Sequence, residues 1–333
     1  MEPIVLMQEK WSHTVFVPLY LYLGGLTAGT FVVAVVADLV GIRSPRFARL
    51  SRIAAFAAVP MLVLAGFFLT AHLGKPERGL AFPIFFTNYN SWMTWGGWIV
   101  IVTSVALLAY AALWWFEASP TARRVIGIVG IPLAVGLAMY TGALLAGAMF
   151  VPLWNMEYLP LIFLNSGLTT GVAAAGLVAG LVWALAGRSP EDSRTVIAWL
   201  SAALVVLIAL EILEMYRFMG HLASAPAKAI PSGEFIVPVG GRRAYEYVTQ
   251  GPLAPWFWWG FVAVGLAIPL ALTVPEFLLR RWATPIASVK FALVLVGGFM
   301  LRWVIVHGGD LKAPLPFPPS TWPIPMIQSG LGG

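Results

Sequence analysis

Apolar runs long enough to cross a bilayer alternate with short polar breaks along most of this chain. They cover roughly residues 14–40, 52–73, 91–116, 125–150, 161–186, 195–217, 255–279 and 288–306. About 20 apolar residues wound as a helix span the hydrocarbon layer. The pattern therefore predicts an all-α polytopic membrane protein with eight transmembrane helices and both termini on one side. The odd-numbered breaks are short and basic. The first holds Arg43, Arg46, Arg49 and Arg52, the third Arg123 and Arg124, the fifth Arg188 and Arg194, and the seventh Arg280 and Arg281. The even breaks are poorer, with Lys75 and Arg78 in one and a few basic residues spread over a long segment in another. Positive charge is retained on the cytoplasmic side, so the odd breaks are expected inside and both termini outward, in the periplasm.

The outward side also carries the extra polypeptide. Residues 218–254 form a long Pro/Gly-rich loop containing Gly240-Gly-Arg-Arg-Ala-Tyr-Glu-Tyr247, and residues 311–333 form a Pro-rich tail without a spanning run. Loops of that length are usually functional or disordered, and such a tail orders most readily against a partner on the outer face. The expected organisation is a first four-helix bundle over 1–155, a second over 156–310 that includes the long outer loop 218–254, and the outer tail 311–333. Gly25-Leu-Thr-Ala-Gly29 recurs as Gly167-Leu-Thr-Thr-Gly171, and the same offset carries His72 onto Glu214. Either the two halves are repeats in the same orientation, or the likeness is the small-residue pattern common where helices pack in lipid. The first ten residues carry two Glu and one Lys and no cleavage-site pattern, so the first helix is expected to stay in the protein.

Composition narrows the chemistry. Of 333 residues, 60% are hydrophobic and 10% charged, against about 25% charged in soluble domains. The net charge of +6 is then a topology signal read loop by loop, and nucleic acid is not an expected partner. Cysteine is absent, which removes disulfides, thiolate metal sites and cysteine-held iron–sulfur clusters from this chain. The four histidines, His13, His72, His221 and His307, all fall near the outer face. Haems stacked across a membrane need ligands at two depths, so a haem relay is not expected, and a single outer haem is the remaining haem alternative. No metal site is expected.

The stretch Thr70–Trp98 concentrates polar chemistry at the membrane boundary. His72, Lys75, Glu77 and Arg78 lie there beside a proline and a belt of tryptophans, at a depth where ionisable groups are costly and usually functional. Tyr20, His72 and Tyr140 share the outer halves of the first, second and fourth spans. A quinone head has two carbonyls that need hydrogen-bond donors, and protons when it is reduced; tyrosine and histidine supply both, while the isoprenoid tail leaves into membrane lipid. The alternative for each tyrosine alone is anchoring at the interface. Glu211 and Glu214 share a face of the sixth span, with Arg302 at similar depth on the eighth. They form either a structural ion pair or part of a proton path. Asp38 and Glu276 fall at inner ends, Asp38 being expected as an interfacial residue, and Lys290 opens the eighth span.

These residues resemble a known family. His72-Leu-Gly-Lys-Pro-Glu-Arg78, followed by Asn90-Ser-Trp-Met-Thr-Trp-Gly-Gly-Trp98, is similar to the signature of the NrfD/PsrC family, the membrane subunits of polysulfide reductase-like complexes. Tyr140-Thr-Gly142, Val151-Pro-Leu-Trp-Asn155, Leu159-Pro-Leu-Ile-Phe-Leu-Asn-Ser-Gly-Leu-Thr-Thr-Gly171 and Arg302-Trp-Val-Ile-Val306 resemble it too. The resemblance runs from about residue 14 to 307. It implies two four-helix bundles and a pocket for menaquinone or ubiquinone near the outer face. It also implies a ferredoxin-like iron–sulfur subunit docked there and a molybdopterin catalytic subunit beyond, these cofactors lying only in the partners, and no haem. Tyr140 matches the family's quinone-site tyrosine and His72 the histidine of the motif joining the second and third spans. Tyr20 stands where the polysulfide reductase branch has a histidine that contacts quinone, and His13 lies a turn or two higher.

The resulting expectation is a quinone-interacting subunit of a respiratory oxidoreductase in a bacterial or archaeal plasma membrane. Tyr20 and Tyr140 hold the head group, and His72 relays protons with help from Glu77 or the outer surface. Lys75 and Arg78 steady charge on the head or dock the electron-transfer partner. The rivals are a secondary transporter, which needs ionisable groups at the midplane, and a passive membrane anchor.

Overall fold

A computed structural model describes residues 15–71, 87–89, 91–148, 151–186, 190–225 and 237–310. The described residues are helical, without strands. Eight of the helices are long and apolar enough to cross a membrane, and the protein is a multi-pass integral membrane protein. They are α1 (Phe16–Gly41), α2 (Pro45–Ala71), α3 (Trp92–Trp115), α4 (Pro120–Ala146), α5 (Leu159–Leu185), α6 (Pro190–Ser224), α8 (Trp256–Leu278) and α9 (Ala283–His307). A short helix, α7 (Val237–Thr249), lies between α6 and α8.

The expected spans are present, and the differences lie at their ends. α2 begins at Pro45, at a proline suited to the first turn of a helix, and carries Arg46 and Arg49 on turns that the apolar run does not include. α6 continues past residue 217 to Ser224. α9 begins at Ala283, so Lys290 lies inside it rather than opening it. α7 occupies part of the expected loop. Its Gly240, Ala244 and Val248 are buried at four-residue spacing while Arg242 and Arg243 are exposed, a helical stripe masked by the glycine pair. The tail 311–333 lies outside the described residues.

Helices α1 and α5 form the centre. Of their most apolar stretches, 67% and 61% are buried, against 17% for α2, whose outer side faces lipid. α1 packs on α2, α4, α5 and α9, and α5 on α1, α4, α6 and α9. α3 packs against α2 and α4, and α8 against α9 and α6. Without a hydrophobic force between helices in lipid, close backbone approach has to come from small residues, and the recurring Gly motifs supply it. A Cβ on Gly29 would overlap the Gly167 carbonyl, and one on Gly171 would overlap the Gly29 backbone. Gly25 and Gly167 also meet. The two copies of the sequence motif therefore pack on each other, with equivalent positions in contact. The motif is a close-packing device, and the pairing of equivalent positions accords with the repeat as well.

Near the face carrying the basic breaks, Asp38 is not interfacial but 1% exposed. Arg123 of α4 binds it with two parallel bonds, Nε to Oδ2 and Nη2 to Oδ1, both 2.8 Å. Tyr110 donates to the same carboxylate at 3.3 Å, and Trp114 lies under the guanidinium, 3.5 Å from ring centroid to Cζ. A carboxylate can be kept at this depth only when paired and hydrogen-bonded, and here α3 and α4 supply those partners to α1. At the opposite face, the segment 151–158 is tied to the end of α9. Trp154 donates its indole N–H to the Ile305 carbonyl at 2.7 Å, and Leu153 and Trp154 fill the space over Gly308 and Gly309.

Candidate functional site

Two groups of predicted residues come together in the half of the protein opposite the basic breaks. The first is Tyr20 on α1 and Tyr140 on α4. Helices α1 and α4 are neighbours, and the two phenols lie within electrostatic reach of each other. Tyr20 is 8% exposed and Tyr140 is half-buried. The Tyr140 ring lies directly on Gly96, where a Cβ would overlap it. This gives a packing reason for one glycine of the Trp95-Gly-Gly-Trp98 sequence: it is the seat of an aromatic ring from α4. Gly142, two residues further on, admits the Leu159 carbonyl and Pro160 of α5 to the same helix. Thr94, on the first turn of α3, is 1% exposed, and its hydroxyl is buried without a hydrogen-bond partner. Ser91 caps α3 by accepting from the Met93 N–H at 3.3 Å, which sets where Thr94 and Gly96 fall on the helix.

His72, Lys75, Glu77 and Arg78, together with His13, lie outside the described residues. α2 is described to Ala71, directly before His72. Of the other histidines, His307 stacks on Trp303 with centroids 3.9 Å apart and meets the Trp303 carbonyl at 2.9 Å. His221 lies beside Tyr158 and 3.5 Å from Asn155.

The second group is Arg302, Glu211 and Glu214, and the structure unites it. Arg302 is fully buried. It donates to the Ser166 hydroxyl and, at 3.1 Å, to the Phe163 carbonyl, and it lies over the Phe163 ring. Glu211, 3% exposed, accepts from Ser166, lies against the Thr169 hydroxyl and faces Arg302. Ser166 thus bridges the guanidinium and the carboxylate. Glu214 reaches Asn165, whose amide also donates to the Leu207 carbonyl at 3.1 Å. One oxygen of Glu214 and the Nε of Arg302 are buried without a partner. Sequence reasoning missed Asn165, Ser166 and Thr169 as members of this group. The signal is a cluster of polar residues at positions 165, 166, 169 and 170 of an otherwise apolar α5.

A second buried pair, also unassigned from sequence, lies near the basic face. Lys290 of α9 is fully buried and meets Glu276 of α8 and Ser201 of α6, with Thr273 at 3.5 Å. Among the described residues no group of three or more His, Cys, Asp or Glu side chains could hold a metal ion.

Known proteins resemble this chain over most of its length. It is 26% identical to a polysulfide reductase chain of Wolinella succinogenes, over 91% of this chain and 96% of that one. It is 22% identical to a selenate reductase subunit of Mesobacillus selenatarsenatis, over 89% of this chain and 73% of that one. A shorter match, 29% identical over 54% of this chain and 51% of the relative, is to protein NrfD of Escherichia coli. Residues 5–313 match the family described as polysulphide reductase, NrfD, and the chain belongs to that family.

Proposed function

We propose that this chain is the quinone-reactive membrane subunit of a respiratory oxidoreductase complex in a prokaryotic plasma membrane. It exchanges electrons between membrane quinone and an iron–sulfur subunit docked on the outer face, and the substrate-converting site, with its molybdopterin, lies in another subunit. The names of two relatives, one a chain of a polysulfide reductase and the other a subunit of a selenate reductase, support membership of a reductase complex. The proposed architecture is two four-helix bundles with outward termini, divided as 1–155 and 156–310 and followed by the tail 311–333. The packing of α1 on α2 and α4 and of α3 on α2 and α4 supports the first bundle, and the α1–α5 crossing joins the two.

The observation that carries the quinone reading is the Tyr140 ring seated on Gly96 with the Tyr20 phenol within electrostatic reach of it. Two phenolic donors and the unpartnered Thr94 hydroxyl lie at the end of the helices that the motif residues mark. These groups suit a head with two carbonyl acceptors. A bound quinone supplies two-electron chemistry with uptake or release of two protons. Tyr20 and Tyr140 orient the head through their hydroxyls, and His72, one residue beyond α2, is assigned the proton relay. Lys75, Glu77 and Arg78 are assigned the entrance and the partner's docking edge. The transporter alternative draws no support from the described residues, whose buried ionisable groups gather toward the two faces rather than at the midplane.

The test uses the purified complex, with assembly followed by co-purification. Tyr140→Phe and His72→Ala are expected to lower quinone-linked turnover about tenfold or more, the cost of removing one hydrogen bond to a buried group, while activity with an artificial dye at the partner is retained. Unchanged quinone turnover in both variants would mean a passive anchor or a pocket elsewhere. Gly96→Ala offers a subtler check. The added methyl has to displace the Tyr140 ring, so quinone-linked turnover should fall in an assembled complex although no donor has been removed. Turnover at the wild-type level in Gly96→Ala would show that the position of Tyr140 does not matter.

A further inference from the structure

We propose that a proton route runs through α6, α8 and α9, entered from the basic face at Glu276 and Lys290 and leading to the buried Glu211–Arg302 cluster. The route rests on the quinone reading, because quinone chemistry near the opposite face supplies its driving force. Its entrance has the form of a gate. Glu276, at the end of α8, is 9% exposed, whereas Lys290 behind it is 0% exposed. The carboxylate therefore lies nearer the protein surface than the amine. Ser201 donates to Glu276 at 2.8 Å and also contacts the Lys290 amine. A buried ion pair of this kind is weak as a stabilising device, and ionisable groups inside membrane helices are by default functional.

The far end shows the independent sign of a guest. Arg302 Nε and Glu214 Oε2 are buried without protein partners, and unpaired polar atoms at such depth are ordinarily met by water. Ser201 and Glu211 lie on the same helix, about 15 Å apart along its axis. Beside that gap α8 is irregular. It winds as a π-helix over Trp256–Ala267, with the Ile268 N–H bonded to the Ala263 carbonyl. Pro269 then brings no N–H, which leaves a carbonyl of the preceding turn without a helical partner. Thr273 returns its hydroxyl to the Pro269 carbonyl at 3.3 Å. Freed backbone acceptors within a membrane are kept where protein or water satisfies them.

The other buried pair near the basic face cannot serve this purpose. In Asp38–Arg123 the cation is a guanidinium, which does not release a proton in proteins. A lysine ammonium, unlike a guanidinium, is able to exchange its proton. The α1–α4 half is thus closed at its basic end and the α6–α9 half is gated. In each passage Glu276 takes one proton from basic-face water. Lys290 gives its own proton onward, through water beside Thr273 and the freed carbonyl, to Glu211 or Glu214. Glu276 then reprotonates the amine. One proton leaves the basic side, one arrives at the cluster, and no other bond changes.

The experiment reconstitutes the whole complex in liposomes and records quinone-linked turnover together with proton movement, using an enclosed pH-sensitive dye. Wild type is compared with Lys290→Arg and Glu276→Gln. Lys290→Arg keeps the charge and the pairing with Glu276, so a structural role predicts wild-type coupling. The route predicts turnover within about twofold of wild type when an uncoupler is present, with proton movement per turnover lost. Glu276→Gln should behave alike, and if it fails to assemble, Lys290→Arg still decides. Normal proton movement in Lys290→Arg, or wild-type turnover that moves no protons, overturns the route alone. Wild-type complex without quinone-linked turnover removes the quinone reading and the route with it, a distinct result.

Discussion

Gly29→Leu should prevent accumulation of folded protein. The glycine lies where α1 crosses α5, and a Cβ there overlaps the Gly167 carbonyl oxygen. The obstacle is backbone, not the end of a flexible side chain, so relief requires the two central helices to separate. Separation would open every contact that α5 shares with α1, together with the Arg302 guanidinium that lies 3.2 Å from where a Cβ on Gly25 would stand. Overpacking typically costs about 1–3 kcal/mol when side chains can adjust, and here they cannot. Even Gly29→Ala and Gly171→Ala should lower the thermal midpoint in detergent. Gly66→Ala and Gly136→Ala provide the control, since nothing lies within 4 Å of a Cβ at either position. Those two should be neutral or stabilised by up to about 1 kcal/mol through helix propensity. Equal midpoints across all four alanine variants would show that the α1–α5 crossing is not close-packed.

The contrast between these glycines shows what the chain discloses and what it withholds. Membrane spans are legible because hydrocarbon thickness imposes a length and an almost uncharged composition, and the eight runs emerge as α1–α6, α8 and α9. Their ends are less legible, because helices continue into water wherever packing rewards it. The arginine-bearing start of α2 and the far end of α6 are of this kind. The Gly25–Gly29 and Gly167–Gly171 motifs are visible as a recurrence, but nothing in one dimension says that the copies touch. Partners of buried charges are hidden for the same reason. Asp38 and Arg123 are remote in sequence and belong to helices whose adjacency is a property of the fold. An aspartate at the end of an apolar run reads as interfacial until that partner is known.

The candidate site is partly legible. Depth alone puts Tyr20 and Tyr140 at one end of the helices, since their distance from the run boundaries can be counted. Their meeting depends on α1 packing against α4, and the seat at Gly96 depends on how α3 rotates against α4. Neither follows from spacing. The supporting hydroxyls of α5 stand inside a family motif, yet their sequence assigns them no task, because a serine or threonine in a membrane helix commonly bonds its own preceding turn. Thr169 and Thr170 do that as well, at 2.8 Å to the Asn165 and Ser166 carbonyls.

Arg302→Met is expected to destabilise the protein by about 3–5 kcal/mol, because it removes one member of a buried charge pair and leaves Glu211 uncompensated. The loss includes the donors to Ser166 and to the Phe163 carbonyl. Adding Glu211→Gln should restore most of it. An amide still bonds Ser166 and lies against Thr169, and it carries no charge to strand. The double variant is therefore expected to unfold near the wild-type temperature, with a coupling of up to about 3 kcal/mol between the two positions. Additive losses would instead place the value of Arg302 in its backbone contacts and in the Phe163 ring beneath it. The restored double variant then separates the two readings of this cluster. Its fold is intact but the acid at position 211 is gone. If Glu211 serves only to neutralise Arg302, reconstituted complex carrying both changes will couple quinone turnover to proton movement as wild type does. If the cluster receives protons from Lys290, turnover will continue and proton movement will fall, leaving Glu214 as the one carboxylate of the cluster able to accept them.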